Sequence, residues 1–470
     1  MTNLNRTDII NITHNGGGIV MLVKILVNNF LSYEGETELT MIPSNKTRKK
    51  TEHKINVKST PLLKYAVIYG ANAAGKSNLV EAFKFIQYCV FKAIPAQATT
   101  MFCKSKEANS YNPSTFEIQF TTNGKFYAYG FSLILKERKI ISEWMYELYQ
   151  NGSAKTLFER VQDQKPKIGE NVILESNDNL KMQTYLEDFD ETSNMLFLSF
   201  MNRGKKYTSS SKLTFFKDVF NWINDSLDVC TPQTSLTSFE YYYNEASLSI
   251  INELIKTFDT GISEVGIDEI SKDEFKKELP EPIFDNLMEE LKRKFEDGSV
   301  EKFKVSMRSN NSFFNIESLD NGELKVTTIK LKHGNSFYDF KFREESDGTR
   351  RLFELLDILL NKSENKVYVI DEMERSLHPK LTSKFIELFD QMHPKQKIQL
   401  IFTTHESSIM DQELFRRDEI WFVERNENNN SNIYSLDKFK ERYDKKLSKA
   451  YLEGRYGAIP VFTSFGFKED

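Results

Sequence analysis

Eight consecutive residues of this chain have the types and spacing to wrap a phosphate: Gly70-Ala71-Asn72-Ala73-Ala74-Gly75-Lys76-Ser77. Spaced glycines let backbone N–H groups turn inward around phosphate oxygens. The lysine adds a cation, and the hydroxyl after it can ligate Mg²⁺. Far downstream, Val367-Tyr368-Val369-Ile370 runs straight into Asp371-Glu372. A carboxylate at the end of a buried strand costs desolvation energy unless a cation or hydrogen bonds offset it. Mg²⁺ shared by Ser77 and Asp371 would supply that offset, and Glu372 would act as general base on an attacking water. The chemistry implied is binding and hydrolysis of ATP with Mg²⁺. Gly70, Asn72, Ala73, Gly75, Lys76, Ser77 and Asn78 are the expected nucleotide contacts. The alternatives are an ordinary glycine-rich turn for the first segment and an acidic helix cap for the second.

Other residues fall where such a site could use them. His405 ends the apolar strand pattern Leu400 to Thr404, where a neutral imidazole could hydrogen-bond a γ-phosphate. It joins Glu372 and Lys76 as a candidate catalytic residue. Ser346-Asp347-Gly348-Thr349 opens a helical pattern, so its N–H groups could form a second anion site; in isolation it reads only as a helix cap.

These residues need a scaffold. Tyr65 to Tyr69 is a continuous apolar-aromatic run, as in a parallel strand buried on both faces, and Leu79, Ala82, Phe83, Ile86 and Val90 follow at helical spacing. The phosphate-wrapping loop therefore sits on strand–loop–helix. Two hairpins are predicted around Thr122-Asn123-Gly124 and Asn151-Gly152, and a first strand over Leu22 to Val27. Ser44 to Lys58 reads as a solvated basic loop, with a phosphate-backbone contact as the other reading. Met182 to Asp259 reads as helical, and Ile283, Leu287, Leu291 and Phe295 form an apolar stripe on one short helix. A helix over Asp347 to Leu360, strands at Val367 to Ile370 and Ile398 to Thr403, and a helix from Lys380 to Met392 complete an α/β alternation. A short basic helix is expected over Lys438 to Lys449.

Composition bounds the partners. No apolar run approaches the roughly 20 residues that a membrane span needs, and the first 20 residues lack a secretory core. Three cysteines (Cys89, Cys103, Cys230) in no metal-ligand spacing suit a reducing, cytoplasmic setting. A net charge of −5 argues against a whole-surface nucleic-acid footprint while leaving a local basic groove open.

In chain order, the phosphate loop, Ser346-Asp347-Gly348-Thr349, Asp371-Glu372, Ser376-Leu377-His378-Pro379 and His405 resemble the motifs of ABC-type ATPase heads. Asn29-Phe30-Leu31-Ser32-Tyr33 resembles the opening strand of the SMC/RecF-like branch. The resemblance implies that Ser346 and Gly348 cover the nucleotide of a second subunit, so that ATP holds a homodimer or higher oligomer together. The chain departs at Asp347, where many relatives carry glycine. Gln119 is the candidate for the glutamine that links nucleotide to lever in such heads. A narrower likeness rests on the phosphate loop, Tyr127 to Phe131, Glu345 to Thr349 and Tyr451 to Pro460. It is to bacterial AAA-15/AAA-21 ATPases, including RloA and AbiLi type proteins and the ATPases of PARIS and Septu anti-phage systems. That likeness implies a sensor or regulator of a separate effector, often a nuclease.

The expected fold is α/β. It is an ABC-ATPase head with a tail at 1–20, an N-terminal half with phosphate loop and β-rich lobe at 21–180, a mostly helical insertion at 181–300, and a C-terminal half at 301–470. About 45 residues follow Val423, too few for a fused nuclease domain. Three functions stay open: an ATP-driven switch on an effector from the same operon, a RecF-like ATPase binding DNA as a dimer, and a nucleotide-stabilised scaffold with little turnover.

Overall fold

A computed structural model describes residues 18–232, 240–243, 245–279, 281–296, 304–309, 312–319, 323–361, 363, 365–394, 396–439 and 446–460. Two compact units divide them. One is drawn from Gly16–Thr234, Ser363–Glu374 and His393–Asp470, the other from Ser235–Lys362 and Arg375–Met392.

In the first unit, the apolar run Tyr65–Tyr69 is a strand (β1) with every residue buried. Its sheet also contains Leu227–Cys230 (β2), Val367–Ile370 (β3), Gln399–Thr403 (β4), Ile420–Arg425 (β5) and Ser431–Ser435 (β6), in the order β2-β3-β4-β1-β5-β6. All neighbours are parallel except the β5–β6 hairpin. The central strands read as unbroken apolar runs because both faces are covered. The register is what matters for chemistry: Ile370 lies opposite Phe402, and Thr403 opposite Ile68. The C-terminal ends of β3, β4 and β1 therefore finish side by side, at the edge where open α/β sheets place their ligands.

The same unit holds a seven-stranded antiparallel sheet built on Met21–Asn28 and including both predicted hairpins, Ser114–Thr122 with Lys125–Ile134 and Lys139–Leu148 with Ala154–Val161. Its core is aromatic. Phe116 lies within 5.3 Å, centroid to centroid, of Phe30, Phe85 and Phe131. Phe85 belongs to the helix Lys76–Phe91 (α1), so this packing fixes the helix that follows the phosphate loop. Each fully buried Phe contributes about 1.5–3 kcal/mol.

The basic segment read as a solvated loop is more ordered than that. It contains the strand Lys54–Val57, paired with Thr60–Leu63, and a fully buried His53 whose Nδ1 lies 2.8 Å from Glu419. Charge density hid this, because a buried histidine looks like any other until its carboxylate partner arrives from far along the chain. The tail near Tyr451 packs here too: Tyr456 stacks on Phe422 of β5, and the Tyr451 hydroxyl donates to Ala458 O. The basic helix expected over Lys438 to Lys449 differs in the described residues: Lys438 ends a short turn, a helix begins only at Leu447 and runs to Leu452, and residues 440–445 lie outside the described residues.

In the second unit the insertion expected at 181–300 is helical over Glu245–Lys256, Lys272–Glu278 and Glu281–Glu296, with one strand among them. Ile262–Ile270 is a strand, paired antiparallel with Leu324–His333 in a sheet that also holds Ser312–Ser318 and Lys304–Ser309. The apolar stripe shifts from Ile283 to Phe284. Lys272–Glu278 and Glu281–Glu296 are separate helices, and among the described side chains Phe284 rather than Ile283 is buried, packing on Phe275, which in turn meets Phe314, with Leu287 of the expected stripe against the same cluster. The side chains of Leu291 and Phe295 lie outside the described residues. The helices Asp347–Leu360 (α2) and Pro379–Met392 (α3) occupy the predicted segments.

Candidate active site

The phosphate loop leaves β1 at Gly70 and enters α1 at Lys76. Its backbone is unusual in the way a ring of inward N–H groups requires: Ala73 has φ 60° and Gly75 φ 113°. Gly75 tolerates that conformation because it lacks a Cβ; one added there would sit 2.1 Å from Ser431 Oγ. At Gly70 an added Cβ would sit 2.3 Å from the Val423 carbonyl of β5. Asn72, Ala73 and Ser77 are exposed on the open side of the loop.

The closed side rests on a polar wall. The buried Tyr33 hydroxyl donates to Gly75 O at 2.9 Å. Ser431 Oγ donates to Ala74 O at 2.5 Å and lies 2.6 Å from Ser32 Oγ, which accepts from Asn78 Nδ2 at 2.7 Å. Asn78, expected as a nucleotide contact, thus spends its side-chain amide on this wall. Ser32 and Tyr33 belong to the opening segment and Ser431 begins β6.

Lys76 is buried, and its ammonium donates to Gly70 O at 2.8 Å and Ala71 O at 3.1 Å. Burial lowers its pKa to about 8, against the opposing pull of Glu374, Asp371 and Glu372. His405 Nδ1 is 3.4 Å from the Lys76 ammonium. With Lys76 charged, Nδ1 accepts and the imidazole proton sits on Nε2. Burial, then the Lys76 cation, holds the His405 pKa below its ordinary value, which favours the neutral ring.

Asp371 follows β3 and is buried. Its N–H donates to Cys230 O at 2.8 Å, and its Oδ1 accepts from the Thr403 hydroxyl at 2.6 Å. Glu372 comes next, half-buried, with φ 49°. Lys76, Asp371, Glu372 and His405 therefore converge at one end of the sheet. Their electrostatic neighbour of largest effect on Lys76 is a residue the motifs do not single out, Glu374. Its Oε1 accepts from the His405 N–H at 2.6 Å, while its Oε2 is enclosed with no hydrogen-bond partner among the described residues. The signal available in the sequence was only a third acidic residue after the apolar run.

Gln119 lies on the strand Ser114–Thr122, and its amide donates to Glu117 on the same strand at 2.9 Å. In the second unit, Ser346 caps α2, its Oγ accepting from Thr349 N at 3.1 Å. Gly348 is required there by close approach, since an added Cβ would sit 2.5 Å from Ser376 O. Asp347, the departure from the glycine of many relatives, is exposed and paired with Arg350.

The donor set fits a magnesium nucleotide. A left-handed, glycine-bearing loop at a helix N-terminus suits an anion, and a serine hydroxyl with a strand-end carboxylate suits a hard divalent cation. Among the described residues, no helix is long and apolar enough to cross a membrane.

Comparison with solved structures finds likeness to SMC heads. An SMC head bound to the C-terminal winged-helix domain of ScpA aligns at 12% identity and a TM-score of 0.38, over 88% of this chain and 97% of that one. The SMC head domain from Thermotoga maritima aligns at 14% and 0.34, over 88% and 98%. An SMC head with an extended coiled coil, bound to the C-terminal domain of ScpA derived from Pyrococcus furiosus, aligns at 13% and 0.36, over 93% and 100%. TM-scores below 0.5 leave these as distant likenesses. No curated protein matches the sequence. The family model described as "AAA domain, putative AbiEii toxin, Type IV TA system" matches residues 66–161 and 161–411, well over half of the chain and every motif at the sheet edge. The chain therefore belongs to this AAA_21 family of ATPase-type domains.

Proposed function

We propose that this chain binds and hydrolyses Mg-ATP and uses the nucleotide state to control a separate effector in bacterial anti-phage defence. The observation that carries the reading is the meeting of Lys76, Asp371, Glu372 and His405 at the C-terminal edge of adjacent parallel strands, with Lys76 and His405 3.4 Å apart. The loop N–H groups around Gly75 and the Lys76 ammonium bind the β- and γ-phosphates. Ser77 and Asp371 hold Mg²⁺, which when bound offsets phosphate charge. Glu372 takes the proton of the attacking water, and His405 Nε2–H donates to the γ-phosphate. Ser346 and Gly348 of a second copy close over the nucleotide, so ATP acts as a clamp between subunits. The toxin system named in the family description supports placing this clamp in a growth-arrest or defence setting.

The test is direct. Purified chain should turn over Mg-ATP, and a tagged copy should carry with it the product of a neighbouring gene in a nucleotide-dependent way. Absence of turnover, alone and with that product, would overturn the enzymatic reading.

A pH dependence follows from Lys76. Its cationic form is complete well below pH 8 and is lost as pH rises through that value. ATP affinity at constant ionic strength should therefore weaken above pH 8, by roughly tenfold per unit at the limit where only the cation binds phosphate. Titration from pH 7 to 9.5 checks this; a flat profile would contradict it.

A further inference from the structure

We infer that Thr403 is the positioning residue for the carboxylate pair, setting both the metal-ligand oxygen of Asp371 and the backbone of Glu372. The inference rests on the ATPase reading above and extends it to a residue outside the recognised motifs. Thr403 is the last residue of β4, fully buried, after the apolar run Leu400-Ile401-Phe402. A buried parallel strand would accept valine at such a position, and a buried hydroxyl is unfavourable unless it is bonded.

Both of its bonding capacities are used, and both are used on the neighbouring strand end. The hydroxyl donates to Asp371 Oδ1 at 2.6 Å and accepts the Glu372 N–H at 2.8 Å. The Thr403 carbonyl accepts the N–H of Met373 at 3.1 Å. One residue thus grips three successive positions. Glu372 needs that grip, because its φ of 49° is a conformation that a side chain rarely adopts without support. The grip also has a direction. Since the hydroxyl proton goes to Oδ1, the second carboxylate oxygen of Asp371 remains for a cation, and the same hydroxyl holds the Glu372 N–H. A hydrogen-bonded neighbour that orients a ligand in this way governs metal affinity and rate without touching substrate.

The experiment uses the full chain with Thr403→Val, which removes the hydroxyl at nearly constant volume, and Thr403→Ser, which keeps it. For Thr403→Val, kcat should fall about 10- to 100-fold, and the factor by which Mg²⁺ tightens ATP binding should shrink about tenfold. Binding of a fluorescent ATP analogue in EDTA should stay within about threefold of wild type, because the phosphate loop is untouched. Thr403→Ser should recover most of both losses. The inference is overturned if Thr403→Val matches wild type in turnover and Mg²⁺ response. It is equally overturned if Thr403→Ser is as impaired as Thr403→Val, or if binding in EDTA is lost as well, since each marks a packing role. Failure of the ATPase reading would be visible separately, as absent turnover in the wild type, and the Mg²⁺ effect on binding would still report on Thr403.

Discussion

Glu372→Gln is expected to leave ATP binding intact and slow hydrolysis about 10²- to 10⁴-fold, the range for removing a positioned general base. The amide keeps the shape of the side chain and its left-handed backbone, so the phosphate loop and Lys76 are undisturbed. What it loses is the capacity to take a proton from water. If ATP clamps two copies together, the variant should accumulate in that clamped state. Gel filtration coupled to light scattering should then show an ATP-dependent increase in mass that wild-type protein shows only transiently. Turnover equal to wild type would remove Glu372 from the mechanism. Slow turnover with no change in mass or shape would remove the role of Ser346 and Gly348 in covering a second copy's nucleotide.

Lys76→Ala is expected to act earlier, at binding. The ammonium is buried and held by two loop carbonyls beside three carboxylates, Glu374, Asp371 and Glu372. Without it, those carboxylates face an incoming polyphosphate with no ammonium between them. Charge-assisted hydrogen bonds are about twice as strong as neutral ones, and like charges brought close repel. ATP affinity should fall at least about 100-fold, corresponding to about 2.7 kcal/mol, within the range of losing bonds to a charged group and leaving others unpaired. The pH dependence of any residual binding should vanish with the lysine. In cells, a strain carrying Lys76→Ala should lose phage resistance. Retained resistance would separate the nucleotide site from the defence role.

Much of the site was legible because it is local. The phosphate loop needs glycines, a lysine and a hydroxyl in one short run between a strand and a helix, and contiguous residues report such a structure directly. The strand ending in Asp371-Glu372 was legible for a related reason: four buried apolar residues running into two carboxylates conflict with solvation unless something compensates. The strand of the insertion in the second unit is not legible in the same way. Ile262–Ile270 mixes Glu264, Asp268 and Glu269 with its apolar residues, and it forms a strand because Leu324–His333 arrives to pair with it. That partner is not encoded in the local pattern. The shift from Ile283 to Phe284 has the same origin, since helical spacing allows neighbouring faces and packing on Phe275 selects one.

The sequence by itself determined the phosphate loop, the carboxylate pair and the α/β alternation that carries them, since each depends on residue types within a few positions of one another. Only the tertiary structure decided what holds them in place. Tyr33, Ser32 and Ser431 brace the loop, Thr403 grips Asp371 and Glu372, and Glu374 holds the His405 amide. These are hydrogen bonds between residues far apart in the chain. A serine, threonine or tyrosine looks alike in sequence whether it faces water or a buried carboxylate, and the difference is made by the partner that folding brings within about 3 Å.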